Sequence, residues 1–260
     1  MQTLPTFHHV IKGPNDAPWL TFIPGIGNDA SFWAQQADAL SEHFRVLSFD
    51  PWGHGDSPMP PADCRFDDIV RGVVALWDSL SIERSSVVGL GFGGSVALAL
   101  GIDHPQRVER LAAFCCRPRQ PDDRREFWRG RLAAAAEQGI DKLADITVDR
   151  WLSPQFRASH PEVDQLLRTM MKRTSLDGYL AYVGAFIEMD FSERFKTLRV
   201  PTLLVAAEHD HGGGPVEAMQ AMAAQNPHTT LVVIDGVGHI CNHEAPAEVE
   251  RLLKRFLLDQ

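Results

Sequence analysis

The segment that most constrains this chain is Val87-Val88-Gly89-Leu90-Gly91-Phe92-Gly93-Gly94. An apolar β-type run over 86–90 breaks at glycines. The chain then continues into a small, apolar stretch over 94–104, which Pro105 ends. A strand that becomes a helix within so few residues brings that helix close against its sheet. Small side chains on both sides of the turn are what permit the approach. A helix apolar nearly all round is one buried deep in the molecule. The segment therefore predicts a layered architecture of helices on a sheet.

The remaining chain agrees. Residues 7–11, 19–23, 45–49 and 108–115 are short β-rich runs bounded by turn residues, as suits strands buried in a parallel sheet. Between them, 31–43 and 66–80 carry apolar residues at three- and four-residue steps, the period of an amphipathic helix. The rhythm stops at Arg117. Over 118–197 no strand is predicted, and helical stretches run over 126–138, 146–152, 162–173 and 176–186. Strands resume at 201–206 and 230–234, and a helix spans 247–258. The expectation is an α/β fold with a mostly parallel, doubly wound sheet. Its core is assembled from 1–117 and 198–260, with a helical lid inserted over 118–197.

Four segments carry chemistry. Gly89-Leu90-Gly91-Phe92-Gly93 has the frame of the G-x-S-x-G nucleophile turn, with Gly91 where the serine belongs. Phe22-Ile23-Pro24-Gly25-Ile26-Gly27 ends a strand and supplies, in that architecture, one oxyanion-hole N–H. The residue after the nucleophile supplies the other, so the expected donors are Ile26 and Phe92. Leu203 to Asp210 is a strand ending in an acid. Asp235-Gly236-Val237-Gly238-His239 is a strand end, a glycine turn and a histidine. In that order, Asp210 orients His239 and stabilises its protonated form, and His239 serves as general base and then general acid.

With these residues in view, the chain resembles the α/β-hydrolases over nearly its whole length. Phe49-Asp50-Pro51-Trp52-Gly53-His54-Gly55-Asp56-Ser57 is similar to that family's D-x-R-G-x-G-x-S segment, with Trp52 in place of arginine. Within the family it is most similar to 3-oxoadipate enol-lactonases, through 45–50, 87–94, 105–111 and 236–240. In the lid, Trp128, Asp149-Arg150-Trp151 and Gly178-Tyr179 add to the likeness. The resemblance implies hydrolysis of an ester or enol-lactone of a small carboxylic acid, with no cofactor and no metal.

Gly91 leaves three readings open: a serine deliberately removed from an ordinary hydrolase, a natural serine-free enzyme, or a non-catalytic small-molecule receptor. In the second, His239 and Asp210 activate a water or move a substrate proton, as in a direct-water hydrolase, lyase, isomerase or decarboxylase. Loss of one triad member typically leaves roughly 10³–10⁴-fold acceleration over water. Generic ester turnover should therefore collapse, while a reaction that needs only a base and an oxyanion hole need not.

Other candidates are weaker. Ser95 lies one helical turn beyond Gly91 and is expected to bond a backbone carbonyl. Cys64, Cys115, Cys116 and Cys241 have no C-x-x-C spacing and read as reduced thiols. Among His209, His211, His239 and His243, the i, i+4 pair His239/His243 would need a helix to share one face as metal ligands, but Gly236 and Gly238 suggest a loop there. Trp128, Trp151, Tyr179 and Phe186 are candidate pocket walls. Arg131 is the candidate for gripping a substrate carboxylate, out of the cluster Arg119, Arg124, Arg125, Arg129 and Arg131.

The net charge of −9 lies entirely outside the insertion, since 118–197 holds 13 basic and 13 acidic residues. An acidic chain disfavours nucleic acid and anionic membranes as partners. No apolar run nears the ~18–20 residues of a membrane span. Residues 1–10 lack a basic start followed by an apolar stretch, so a cytoplasmic, small-molecule enzyme is expected, with self-assembly left open.

Overall fold

Residues 4–258 are described by the structure, a computed structural model; the outermost residues of the expected core, 1–3 and 259–260, lie outside the described residues. Strands β1 (His9–Lys12), β2 (Trp19–Ile23), β3 (Arg45–Phe49), β4 (Ser85–Leu90), β5 (Val108–Phe114), β6 (Thr202–Ala207) and β7 (Thr229–Ile234) form one sheet. Its order is β1-β3-β2-β4-β5-β6-β7. All pairings from β3 to β7 are parallel, and β1 runs antiparallel to β3 with His9 opposite Phe49. The strand expected over 7–11 is therefore shifted to an edge. Its side chains alternate between half-buried and exposed, as an edge strand's do. Phe7 precedes it and packs on Phe49 and Trp52 at 4.8 and 4.6 Å between ring centroids.

The central strands β4 and β6 are buried along their whole length. Helices α1 (Ala34–Leu40), α2 (Phe66–Ser79) and α3 (Phe92–Asp103) follow β2, β3 and β4 in turn. A 3₁₀ turn over Ala30–Trp33, capped by the Asp29 carboxylate on the Ser31 N–H at 2.9 Å, precedes α1. Helix α3 begins two residues earlier than its small-residue pattern suggested, because Gly91 alone makes the turn. Every residue from Phe92 to Gly101 is buried.

Between β5 and β6 the chain is helical: α4 (Asp122–Trp151), α5 (Pro154–Ser159), α6 (Pro161–Lys172), α7 (Leu176–Glu188) and α8 (Ser192–Phe195). The two helices expected over 126–138 and 146–152 belong to α4, which breaks at Gly139 (φ 80°, ψ 171°). The β-type pairing in this insertion, among the described residues, is an isolated bridge between Arg119 and Asp190. The chain then runs through α9 (Val216–Ala223), α10 (Cys241–Glu244) and α11 (Pro246–Leu258).

Two large apolar clusters pack about the sheet, and a third lies within the insertion around Ala135, Leu143, Met171, Tyr179 and Val183. The insertion is tied to the core by specific contacts. The Trp52 N–H donates to the Tyr182 hydroxyl at 3.0 Å, and the Ser175 N–H donates to the Gly53 carbonyl at 2.8 Å. Trp52, which stands where the resembled family has arginine, lies in the turn closed by the His54 N–H on the Pro51 carbonyl at 2.9 Å and does not line the cavity that Gly91 and His239 border. It is fully buried, its indole N–H donates to the Pro5 carbonyl at 2.9 Å, and it anchors α7.

Candidate active site

The sheet order reverses at β2 and β4, where one strand connection leads left and the next leads right. Parallel α/β sheets open a crevice at such a switch point, at the carboxyl ends of the strands. Four of these ends converge here: Gly25-Ile26-Gly27 after β2, Gly91 after β4, Asp210 after β6 and His239 after β7. Gly25, Ile26, Gly91, Phe92, Asp210 and His239 all border one cavity of about 310 Å³.

Gly91 caps α3 with φ 59° and ψ −122°, a backbone conformation that side chains rarely adopt. A Cβ added there would lie 3.1 Å from His239 Nε2. A Cβ on Gly89 would instead collide with the Gly93 carbonyl, and one on Gly93 with the Ile23 carbonyl. Packing thus demands the two outer glycines of the turn. At Gly91 a side chain would meet only the imidazole.

His239 Nδ1 faces Asp210 Oδ2 at 3.0 Å. Asp210 is 1% exposed, so its charge needs full compensation. The N–H groups of Gly212 and Gly213 donate to Oδ1 at 2.8 and 2.9 Å, and that of Gly214 to Oδ2 at 2.7 Å. Burial alone would raise the Asp210 pKa. The His239 charge, the His239 hydrogen bond and these backbone donors outweigh it and hold the carboxyl well below the usual range. The sequence signal for this cradle is Asp210-His211-Gly212-Gly213-Gly214, which sequence reasoning did not use. A Cβ on Gly213 would run into His239, and one on Gly214 would come 2.5 Å from the Cys116 nitrogen.

The loop carrying Ile26 is fixed by His54. The Gly27 N–H donates to His54 Nε2 at 2.9 Å, while His54 Nδ1 lies 2.9 Å from the Trp52 carbonyl. A ring accepting at Nε2 and donating at Nδ1 is neutral. Burial accordingly lowers its pKa from 6.5 to about 4, against upward pulls from the Trp52 carbonyl, Asp50 and Asp29. Among the described residues, no protein hydrogen bond engages the N–H of Ile26 or of Phe92.

Trp128, Arg131 and Trp151 line the cavity as the sequence suggested. Tyr179 does not line it, but sits behind it in the insertion's apolar cluster. Asn28, Arg124, Phe127, Thr147, Arg150 and Phe186 complete much of the wall. Of these, Asn28, Phe127 and Thr147 carried no sequence signal. Ser95 is fully buried, and its hydroxyl donates to the Arg117 carbonyl at 2.8 Å, which leaves it no place at the site. Cys115, Asp210 and His239 present potential ligand atoms within 4.8 Å of one another. Both Asp210 oxygens are already taken by N–H donors and His239, and the Cys241 thiol, burial and Asp210 raise the Cys115 pKa. The set is built as a His–carboxylate pair. Among the described residues no helix is long and apolar enough to cross a membrane.

Residues 22–252 match the alpha/beta hydrolase family. The chain is 29% identical over 251 residues to 3-oxoadipate enol-lactonase 2 of Acinetobacter baylyi, covering 94% of this chain and 91% of that protein. It is 24% identical over 256 residues to the (E)-2-((N-methylformamido)methylene)succinate hydrolase of the same organism, covering 97% and 94%. The crystal structure of the enol-lactonase from Burkholderia xenovorans superposes with a TM-score of 0.93 at 29% identity, covering 97% of this chain and 96% of that one.

Proposed function

The chain belongs to the alpha/beta hydrolase family, and from that premise we propose that it hydrolyses an ester or enol-lactone of a small carboxylic acid without an acyl-enzyme. The observation that carries this reading is the aim of His239. Its Nδ1 is held by Asp210 at 3.0 Å, and its Nε2 lies 3.1 Å from where a Gly91 Cβ would stand. A base oriented in this way serves a water at the turn as readily as a hydroxyl.

In the proposed reaction the water oxygen bonds to the substrate carbonyl carbon, and His239 Nε2 takes the proton released. The N–H groups of Ile26 and Phe92 receive the oxyanion, assisted by the N-terminus of α3. As the tetrahedral adduct collapses, the C–O bond to the leaving oxygen breaks and His239 returns the proton to that oxygen. The products are an acid and an alcohol, or the enol of a ketone. Asp210 stays ionised and stabilises the imidazolium. The helices between β5 and β6 act as the lid that excludes bulk water from this step.

The test uses three chains on p-nitrophenyl acetate and on an enol-lactone: the protein as it is, Gly91→Ser and His239→Ala. The expected result is steady lactone turnover by the unaltered chain with no pre-steady-state burst, and a loss of roughly 10²–10⁴-fold with His239→Ala. If only Gly91→Ser turns over either substrate, with a burst of p-nitrophenol, the serine-free reading is overturned and the chain is an inactivated serine hydrolase.

A further inference from the structure

We infer that the substrate carries two carboxylates in addition to the reacting carbonyl, and that Arg124, Arg131 and Arg150 of the insertion bind them. This rests on the hydrolytic reading above and names its substrate class. The three arginines border the same cavity as Gly91 and His239. Their guanidinium carbons lie 4.5, 6.0 and 4.5 Å from the Phe127 ring centroid, so three positive charges gather about one aromatic ring.

Among the described residues, none of the three has a carboxylate within 4.0 Å, whereas Arg129, Arg157, Arg168, Arg173 and Arg194 of the same insertion all do. The one buried acid bordering the cavity, Asp210, is already saturated by His239 and three N–H groups. Arg124 and Arg131 are not free in solvent, whereas Arg150 is exposed at the cavity's border. Arg131 is 8% exposed and is held by the Thr147 hydroxyl. Arg124 donates to the Gly212 carbonyl at 3.1 Å, against the loop that cradles Asp210.

Unpaired buried donors point the same way. Arg124 Nε, Arg131 Nε, Trp128 Nε1 and Asn28 Nδ2, buried atoms of residues that border the cavity, have no acceptor, and Asn28 is only 1% exposed. Native proteins seldom leave buried donors unmatched. A wall of donors with no acidic residue to match them calls for an acceptor-rich anion. One carboxylate matches one or two guanidinium forks, so three forks with two further single donors, Trp128 Nε1 and Asn28 Nδ2, suit two. Flat guanidinium planes among Phe127, Trp128 and Phe186 fit flat carboxylates on a short carbon chain. The cavity of about 310 Å³ sits at the small end of ligand sites.

Hydrolysis of such a lactone, whose two halves stay joined, yields a tricarboxylate, so the probe is tricarballylate, compared with glutarate, butyrate and inorganic phosphate by calorimetric titration at two salt concentrations. The expected result is that tricarballylate binds at least tenfold tighter than butyrate, with glutarate between, and that added salt weakens all three. Arg131→Met and Arg150→Met keep the apolar stem on Phe127 and remove the charge. Each should weaken tricarballylate about 10- to 100-fold while leaving the unliganded melting temperature unchanged or higher, because mutual repulsion is relieved. Arg150→Lys should restore part of the binding. The inference is overturned if butyrate binds as well as tricarballylate, if phosphate competes as strongly, or if the arginine variants keep full affinity. Binding is read without turnover. Tricarballylate binding without hydrolysis of any lactone defeats the catalytic reading alone, and hydrolysis of neutral lactones without anion selectivity defeats this one alone.

Discussion

At Gly91 the backbone conformation and the chemistry of the turn come apart. A residue with a side chain at φ 59° and ψ −122° stores roughly 1–3 kcal/mol of strain, which glycine avoids. Gly91→Ser should therefore lower stability by about 1–3 kcal/mol in denaturant titration, even as it adds a hydroxyl within reach of His239. A gain in p-nitrophenyl acetate turnover with no loss of stability would show that the turn relaxes on substitution. His54 makes a second residue-scale prediction. It is fully buried, with its pKa lowered from 6.5 to about 4, so between those values the unfolded chain binds a proton that the folded chain does not. Stability then rises with pH across this window and falls as pH drops through it, by up to about 3 kcal/mol. His243, lowered by burial against a hydrogen bond to the Phe32 carbonyl, adds to the same slope. Denaturant midpoints measured at pH 4.5, 5.5 and 6.5 should climb, and His54→Gln should flatten the climb. An unchanged slope in His54→Gln would assign the effect to other groups. Neither effect was legible beforehand: the sequence displayed Gly91, but the conformation that makes glycine favourable, and the Gly27 N–H that keeps His54 neutral, exist only once β2 and β3 lie side by side.

Element by element, the parts best read from sequence were those where local pattern and burial agree. Strands β2, β3 and β4 stand within a residue of the expected runs, because apolar β-branched stretches in a parallel sheet are buried on both faces. Helix α4 was harder. Its apolar residues are spread too thinly for a single amphipathic stripe, and the break at Gly139 falls between two helical stretches that look independent. There φ 80° and ψ 171° fall in a region essentially reserved for glycine. A Cβ would meet nothing within 4 Å, so only the backbone objects to a larger residue. Gly139→Ala should therefore cost about 1–3 kcal/mol or straighten α4. Because Arg131 lies before the break and Arg150 after it, straightening should weaken tricarballylate binding as well. Loss of stability together with unchanged binding would show that the break plays no part in arranging the two arginines. The Asp210 cradle was written in three consecutive glycines. Its meaning needed the fold, since only there does the loop curl back to aim three N–H groups at one carboxylate.

For the molecule as a whole, the charge arithmetic and the packing lead to one expectation about motion. The net charge of −9 belongs to the segments outside 118–197, yet the positive groups facing the cavity all come from the insertion. On the inference above, a substrate anion is then held chiefly by the insertion. The apolar cluster within the insertion is small beside the two that flank the sheet. Some of its ties to the core are exposed or half-exposed ion pairs, such as Arg173 with Asp56 and Arg194 with Asp67, and pairs of that kind contribute little stability. Local opening free energies track buried apolar contact. Amides of α4, α5 and α6 should therefore exchange with solvent through a lower-energy opening than amides of β4, β5 and β6. Tricarballylate should slow exchange in α4, which carries Arg124, Arg131 and Arg150, and leave the sheet untouched, since its opening is already the global one. Residue-resolved hydrogen exchange with and without the ligand decides the matter. If insertion and sheet open with one common free energy, the insertion is a rigid part of the core, and substrate entry would have to proceed through the cavity mouth without movement of the helices above it.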